Sequence, residues 1–280
     1  MTKTVLITGC STGFGKTTAR LFASAGWNVV ATMRRPEVAD ELATLSNVLV
    51  TRLDVEDLAS IETAIAAGIE RFGRIDTLIN NAGFGLFGLF EATRREKVLE
   101  QFNVNVFGVM DVTRAILPHF RSHQSGQIIN VSSGAGVFTL PMISLYCASK
   151  FALEGFSEAL SFELASQNIS VKIIEPGGVI STDFGKRSGA ESAPGETIAD
   201  YDGFVDETLA YFAGLRQARL ATEEDVAEVI YQAATDGTDQ LRYVATDDIK
   251  PLVAARRETS EQAYMVLLRA RFSGSAELPV

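Results

Sequence analysis

The stretch Thr4-Val5-Leu6-Ile7-Thr8-Gly9-Cys10-Ser11-Thr12-Gly13-Phe14-Gly15 decides the fold. Thr4–Thr8 is a run with no polar alternation, the pattern of a strand buried on both faces of a parallel sheet. It breaks at Gly9. From Phe14 to Ala25 apolar residues return at helical spacing (Ala19, Leu21, Phe22, Ala25) until Gly26 stops them. The intervening glycines are spaced G-x-x-x-G-x-G. Glycine is needed where backbone must approach a diphosphate closely or φ must turn positive. The helix that follows aims unpaired N–H groups and its positive dipole end at the phosphates. A glycine trio alone also suits an ordinary turn. Its place between a buried strand and a helix makes Gly9, Ser11, Thr12, Gly13, Phe14 and Gly15 a candidate dinucleotide cradle.

The same alternation continues along the chain. Strands are expected at Asn28–Thr32, Val48–Leu53, Thr77–Ile79, Gln127–Val131, Val171–Glu175 and Arg242–Thr246. Helices are expected at Asp57–Phe72, around Val104–Phe120, at Leu145–Ala165 and at Asp206–Arg216, and after the capping sequence Thr222-Glu223-Glu224-Asp225. Crossovers of this length imply an α/β fold: a doubly wound, Rossmann-like parallel sheet with helices on both faces, in a single domain over residues 1–280. The glycine-rich residues 177–221 read as a mobile substrate segment, and residues 247–280 as a helical, basic C-terminal extension.

Composition bounds the function. Thirty-five acidic against 25 basic residues give a net charge of −10, the wrong balance for a nucleic-acid binder. Two cysteines, Cys10 and Cys147, cannot build a disulfide framework or a structural zinc site, and both suit packing. His119 and His123 have no third ligand at metal spacing, so no metal is expected. No apolar run is long enough to span a membrane, and the N-terminal one is too short for a signal peptide. A cytoplasmic globular protein is the expectation.

The second strand ends Ala31-Thr32-Met33-Arg34-Arg35, without the carboxylate that an NAD site places against the ribose 2′-OH. A guanidinium suits a 2′-phosphate, so Arg34, with Thr12 as a hydroxyl helper, favours NADP(H) over NAD(H). An arginine that merely solvates a loop is the plain alternative, and Arg35 is the substitute. Six tyrosines and seven lysines give about 0.15 Tyr-x-x-x-Lys pairs by chance. One occurs, Tyr146 and Lys150. On a helix the two share a face, and a nearby ammonium lowers a phenol's pKa toward the range useful for proton transfer. Alone, such a pair is more often a surface contact. Ser133 strengthens it, ending the fifth strand at the edge where open α/β sheets bind ligands, where a hydroxyl can hold a developing oxyanion. Asn80-Asn81-Ala82-Gly83 ends the fourth strand on that edge, and Asn105 begins the helix beyond.

In this ordered set the chain resembles the short-chain dehydrogenase/reductase family, in its compact branch, from about Lys3 to Thr182. The resemblance rests on Thr8–Gly15, Asp54, Asn80–Gly83, Asn105, Ser133, Tyr146-x-x-x-Lys150 and the turn containing Pro176, Gly177 and Thr182. It implies a tetrad in which Tyr146 exchanges the proton, Ser133 positions the substrate oxygen and Lys150 binds ribose and tunes the phenol. Asn105 would hold a water of a proton relay. It also implies Asp54 near adenine, Asn81 at the adenosine ribose, Val179 and Thr182 flanking the nicotinamide carboxamide, and Ala82, Gly83, Pro176 and Gly177 among the cofactor-binding residues. The ending of the second strand is similar to NADP(H)-preferring steroid and retinol dehydrogenases. A homodimer or homotetramer is the family expectation, less transferable here because the tail is long.

The leading expectation is therefore an NADP(H)-dependent oxidoreductase interconverting a carbonyl and an alcohol on a small molecule. Phe138, Leu140, Met142, Ile143, Phe184, Tyr201 and Phe204 suggest an apolar pocket, or ordinary core. The alternatives are a non-catalytic dinucleotide sensor, an NAD(H)-dependent enzyme of the same fold, and an epimerase or dehydratase of the family's longer branch.

Overall fold

A computed structural model describes residues 2–38, 41–179, 198–217 and 221–272. Seven parallel strands lie in the order β3-β2-β1-β4-β5-β6-β7: β1 Thr4–Ile7, β2 Asn28–Met33, β3 Val48–Arg52, β4 Thr77–Asn80, β5 Gly126–Val131, β6 Ile169–Glu175 and β7 Arg242–Val244. All four residues of β1 are buried, as a strand with a neighbour on each edge and helices on each face must be. Its period of two sends Val5 and Ile7 to one layer and Leu6 to the other.

On the Val5 face pack α1 (Gly13–Ser24) and the helix Glu223–Thr235, joined by Phe22, Val226, Ile230 and Ala233. On the Leu6 face pack α2 (Leu58–Phe72), the helix Val109–Ser122 and the helix Ser144–Ala165, through Ile61, Ile65, Val112, Ile116, Leu160 and Leu164. The two layers make the sheet doubly wound. Local signals start and stop these helices. Asp57 caps α2 by accepting from the Ser60 N–H at 3.2 Å, and Gly73, at φ +81°, ends it. Thr222 and Asp225 form the capping box expected from their spacing.

Two helix boundaries differ from the sequence reading. The helix expected around Val104–Phe120 starts earlier, as α3 (Arg95–Phe102), passes through a π-helical turn at Asn103–Gly108, and continues as α4 (Val109–Ser122). Only Gln101 of α3 is buried, so its polar sequence carries no apolar stripe to mark the start. Asn105 therefore sits inside a π turn and not at a helix start. After α5 (Ser144–Ala165), the helix expected at Asp206–Arg216 runs longer, as α6 (Asp202–Gln217). The helix α7 is Glu223–Thr235, and the C-terminal extension forms α8 (Lys250–Glu258) and α9 (Glu261–Phe272). Thr182 and Phe184 lie outside the described residues.

The extension has its own apolar core. Ile249, Leu252, Val253, Tyr264 and Leu268 pack on Val137 and Phe138, which follow β5. Phe138 thus packs in this core. Among the described residues no helix is long and apolar enough to cross a membrane.

Candidate active site

The carboxyl ends of β1, β4, β5 and β6 bring the expected residues to one edge of the sheet. At β1 the chain turns with Gly9 at φ +76° and Gly13 at φ +59°, conformations that disfavour a side chain. The turn is stitched to β4. The Thr8 hydroxyl accepts from the N–H groups of Asn81 and Ala82, each at 3.0 Å. The Asn81 amide donates to the carbonyls of Thr8 and Gly9, at 2.9 and 3.2 Å. Asn81 therefore braces the glycine turn, with both donations made to protein backbone.

The turn fits a dinucleotide phosphate. Thr12, at the N-cap of α1, is extended and makes no side-chain cap bond, so the first N–H groups of the helix have no capping side chain. Ser11 and Thr12 are exposed beside them. Gly15 lets helix and turn close on each other: a Cβ there would lie 2.3 Å from the Gly9 oxygen and 2.4 Å from Asn81 Nδ2. Gly15→Ala is expected to destabilise the chain by about 1–3 kcal/mol, the usual cost of overpacking. Urea unfolding checks it; an unchanged midpoint would mean that the turn relaxes freely.

Arg34 is exposed just past β2 with no partner among the described residues, and Asp54 is half-buried past β3, where its Oδ1 accepts from the Glu56 N–H at 3.2 Å. Val179 forms an isolated parallel bridge to Ala221.

Ser133, Tyr146 and Lys150 meet at the end of β5. Ser133 is extended at φ −171° and accepts from the Ala135 N–H at 3.1 Å. Its side chain hydrogen-bonds the Tyr146 phenol. One turn further along α5, Lys150 is buried, its Nζ donating to the Val131 carbonyl at 2.9 Å and lying 5.7 Å from the centre of the Tyr146 ring. Burial pushes the phenol up to about 12, against the pull of Ser133. The expected lowering by a cation is therefore reversed: desolvation outweighs an ammonium that is turned toward a backbone carbonyl. Burial pushes Lys150 down to about 8, with Glu154 opposing it.

Asn105 stands one step back. Its Oδ1 accepts from the Phe84 N–H at 3.0 Å, and its Nδ2 donates to the Phe84 carbonyl at 2.8 Å and to Ser149 Oγ at 3.1 Å. Ser149 Oγ in turn donates to the Tyr146 carbonyl at 2.8 Å. With its amide spent on Phe84 and Ser149, Asn105 ties the loop after β4 to α5. Gln101 grips the same loop, accepting from the Leu86 N–H and donating to the Phe84 carbonyl. Ser149, lying between Tyr146 and Lys150, was visible in the motif; Gln101 carried no such mark.

Past β6 the turn Pro176-Gly177-Gly178 is held by the extension. Thr246 Oγ1 accepts from the Gly177 N–H at 2.9 Å, and Asp248 Oδ2 from the Gly178 N–H at 3.0 Å. The region of α6 is held from both sides. Phe87 meets Phe212 of α6 edge-on at 5.5 Å, Tyr211 meets Phe272 of α9 at 4.9 Å, and the Tyr201 hydroxyl donates to Glu91 at 3.0 Å.

A glycine turn at the reversal of strand order, with hydroxyl, phenol and ammonium gathered on the neighbouring strand ends, defines a nicotinamide-dinucleotide oxidoreductase. Comparison with known proteins narrows the class. Residues 3–193 match the short chain dehydrogenase family, and the chain belongs to it. It is 42% identical over 238 residues to an uncharacterized oxidoreductase of Schizosaccharomyces pombe, covering 85% of this chain and 98% of that one. It is 34% identical over 268 residues to the 17-beta-hydroxysteroid dehydrogenase type 1 of Mus musculus, covering 91% and 76%. Among solved structures, the closed form of serine dehydrogenase complexed with NADP+ superposes with a TM-score of 0.74 at 30% identity, over 86% of this chain and 94% of that one. Steroid-dehydrogenase-like proteins are thus among its relatives.

Proposed function

We propose that the chain is an NADP(H)-dependent reductase and dehydrogenase interconverting an apolar carbonyl compound and its alcohol, with Tyr146 as the proton-transfer group. The observation that carries this reading is the Ser133–Tyr146 hydrogen bond above a buried Lys150 at the carboxyl edge of β5. The cofactor would be held by the glycine turn, Asp54, Arg34 and the Pro176–Val179 turn, and would supply or accept the hydride. Ser133 donates its hydroxyl proton in a hydrogen bond to the substrate oxygen. Tyr146 gives its proton to that oxygen in reduction and takes it back in oxidation. Lys150 keeps positive charge beneath the phenol, which favours the phenolate whenever it forms. Arg34, exposed beyond β2, favours a 2′-phosphate and hence NADP(H) over NAD(H). Leu140, packed against the core of the extension, and the aromatic contacts around α6 favour an apolar substrate. The complete Ser-Tyr-Lys set disfavours a non-catalytic sensor. Association into a homodimer or homotetramer belongs to the same reading and is settled by light scattering.

The deciding test is a panel of carbonyl compounds graded by apolar size, followed as NADPH oxidation. Turnover that rises with apolar size supports the reading; no turnover with any of them, NADH included, defeats it.

The two directions should part with pH. A phenol pushed up to about 12 stays protonated through neutrality, which suits a proton donor, whereas oxidation needs the scarce phenolate. Oxidation is expected to climb from about pH 7 until Lys150 loses its proton near 8. Reduction should hold level and then fall as Lys150 loses its proton near 8. Profiles of kcat/KM in both directions check it, and an oxidation optimum in acid would contradict it.

A further inference from the structure

Behind the reacting groups lies a buried ionic cluster for which the steps above have no use. Glu154 sits one helical turn beyond Lys150 on α5, so the two share a face, and both are buried, at 7% and 6% exposure. Lys150 Nζ donates to Val131 and forms no ion pair with Glu154, so the carboxylate acts on it through the interior across that turn. Glu154 Oε2 accepts from Arg242 Nε of β7 at 3.0 Å. Arg242 also pairs with Glu158 of α5 and lies 3.6 Å from Glu175 Oε1 at the end of β6. Glu175, fully buried, is gripped by both terminal nitrogens of Arg257 from α8, at 2.5 and 3.1 Å. At the end of β5 the Ser132 hydroxyl lies buried near Glu154, and neither Ser132 Oγ nor Glu154 Oε1 has a hydrogen-bond partner among the described residues.

Gly136 closes this cluster from above. A Cβ there would lie 2.8 Å from Ser132 Oγ, 2.9 Å from Glu154 Cγ and 3.2 Å from the Lys150 carbonyl oxygen, so the backbone packs directly over the pair. The charges also count out. Glu154, Glu158 and Glu175 face Arg242 and Arg257, three negative against two positive, and the Lys150 ammonium makes the set neutral. Of these groups Glu154 acts on Lys150 directly through its charge, Glu158, Glu175, Arg242 and Arg257 act on Glu154 or on one another, and Tyr146 stands beside Lys150 on the same helix. Burial and the nearby Glu175 push Glu154 up, while Ser132 and Arg242 pull it down.

We propose that Glu154 is a positioning residue of the reaction, a buried carboxylate locked by Arg242 that keeps Lys150 an ammonium beneath Tyr146. The proposal rests on the reading of Lys150 as the partner of the phenol and the cofactor ribose. NADPH affinity, read by fluorescence titration from acid to alkaline pH, tests it without turnover. In Glu154→Gln, the alkaline limb of NADPH affinity should move down by about one pH unit, with the alkaline limb of kcat following. A uniform loss at every pH with the limb unmoved is what a merely structural role gives, and it overturns the proposal. Glu154→Asp keeps the charge one methylene back and decides the matter if the Gln variant does not fold. A smaller displacement in the same direction supports the proposal, and an unmoved limb overturns it. A wild-type chain that binds NADPH with no alkaline limb overturns this proposal alone. One that binds neither NADPH nor NADH at any pH overturns the functional reading, and the role of Glu154 with it.

Discussion

Tyr146→Phe is expected to bind NADPH as the wild type does and to lose at least about 10²-fold in kcat, the scale of a positioned proton-transfer group. The substitution removes one oxygen from a half-buried ring whose hydroxyl is bonded to Ser133, so the packing of α5 is untouched. What disappears is the proton that reduction delivers to the substrate oxygen. Without it the alkoxide must take a proton from water, with no phenol held against it. The loss should fall on kcat, since the phenol's largest contribution comes as charge builds on that oxygen. Steady-state kinetics with the best carbonyl of the panel, beside fluorescence titration of NADPH, separates the two effects. Full turnover in the variant would move proton transfer to another group and leave the Ser133–Tyr146 pair structural.

Arg34→Asp should act on a different quantity, the choice between cofactors. Arg34 is exposed and engaged by no neighbour among the described residues, so its replacement costs the fold little. A guanidinium facing a 2′-phosphate is worth about 1.5–3 kcal/mol through charge-assisted hydrogen bonds. Its loss, together with the repulsion of the new carboxylate, predicts a fall of about 10- to 100-fold in kcat/KM for NADPH. NADH should be used as well as before or better, because a carboxylate at the end of the second strand can accept from a ribose 2′-OH. The ratio of kcat/KM for the two cofactors is the measurement, and an unchanged ratio would hand the role to Arg35.

The sheet was legible because its central strands are buried on both faces: Thr4–Ile7 and Ile128–Val131 admit little but apolar residues, and runs of that kind stand out in one dimension. The glycine turn and the Tyr146–Lys150 spacing were legible for a related reason, since backbone approach and helical pitch each fix residue type at a set interval. The π turn at Asn103–Gly108 was not. An extra residue in a helical turn shifts the apolar period, and α3 has almost no apolar face to anchor a reading. The phenol's direction of shift was missed because it depends on burial, and burial here is supplied by segments far apart in sequence. The Glu154 cluster was hidden in the same way. Its members come from positions 154, 158, 175, 242 and 257, and nothing in their local sequence marks them as neighbours.

The carboxyl-terminal helices are not an appendage. Thr246 and Asp248 hold the turn after β6, Arg257 grips Glu175, the Tyr264 hydroxyl accepts from the Thr139 N–H, and Phe272 meets Tyr211. Strain applied to these helices, by a fusion partner or a surface tether, is transmitted by short polar links to the end of β6 and the turn that follows it. The opposite terminus enters through a central strand already clamped on both edges, and is the safer handle for anyone who wants to immobilise the catalyst.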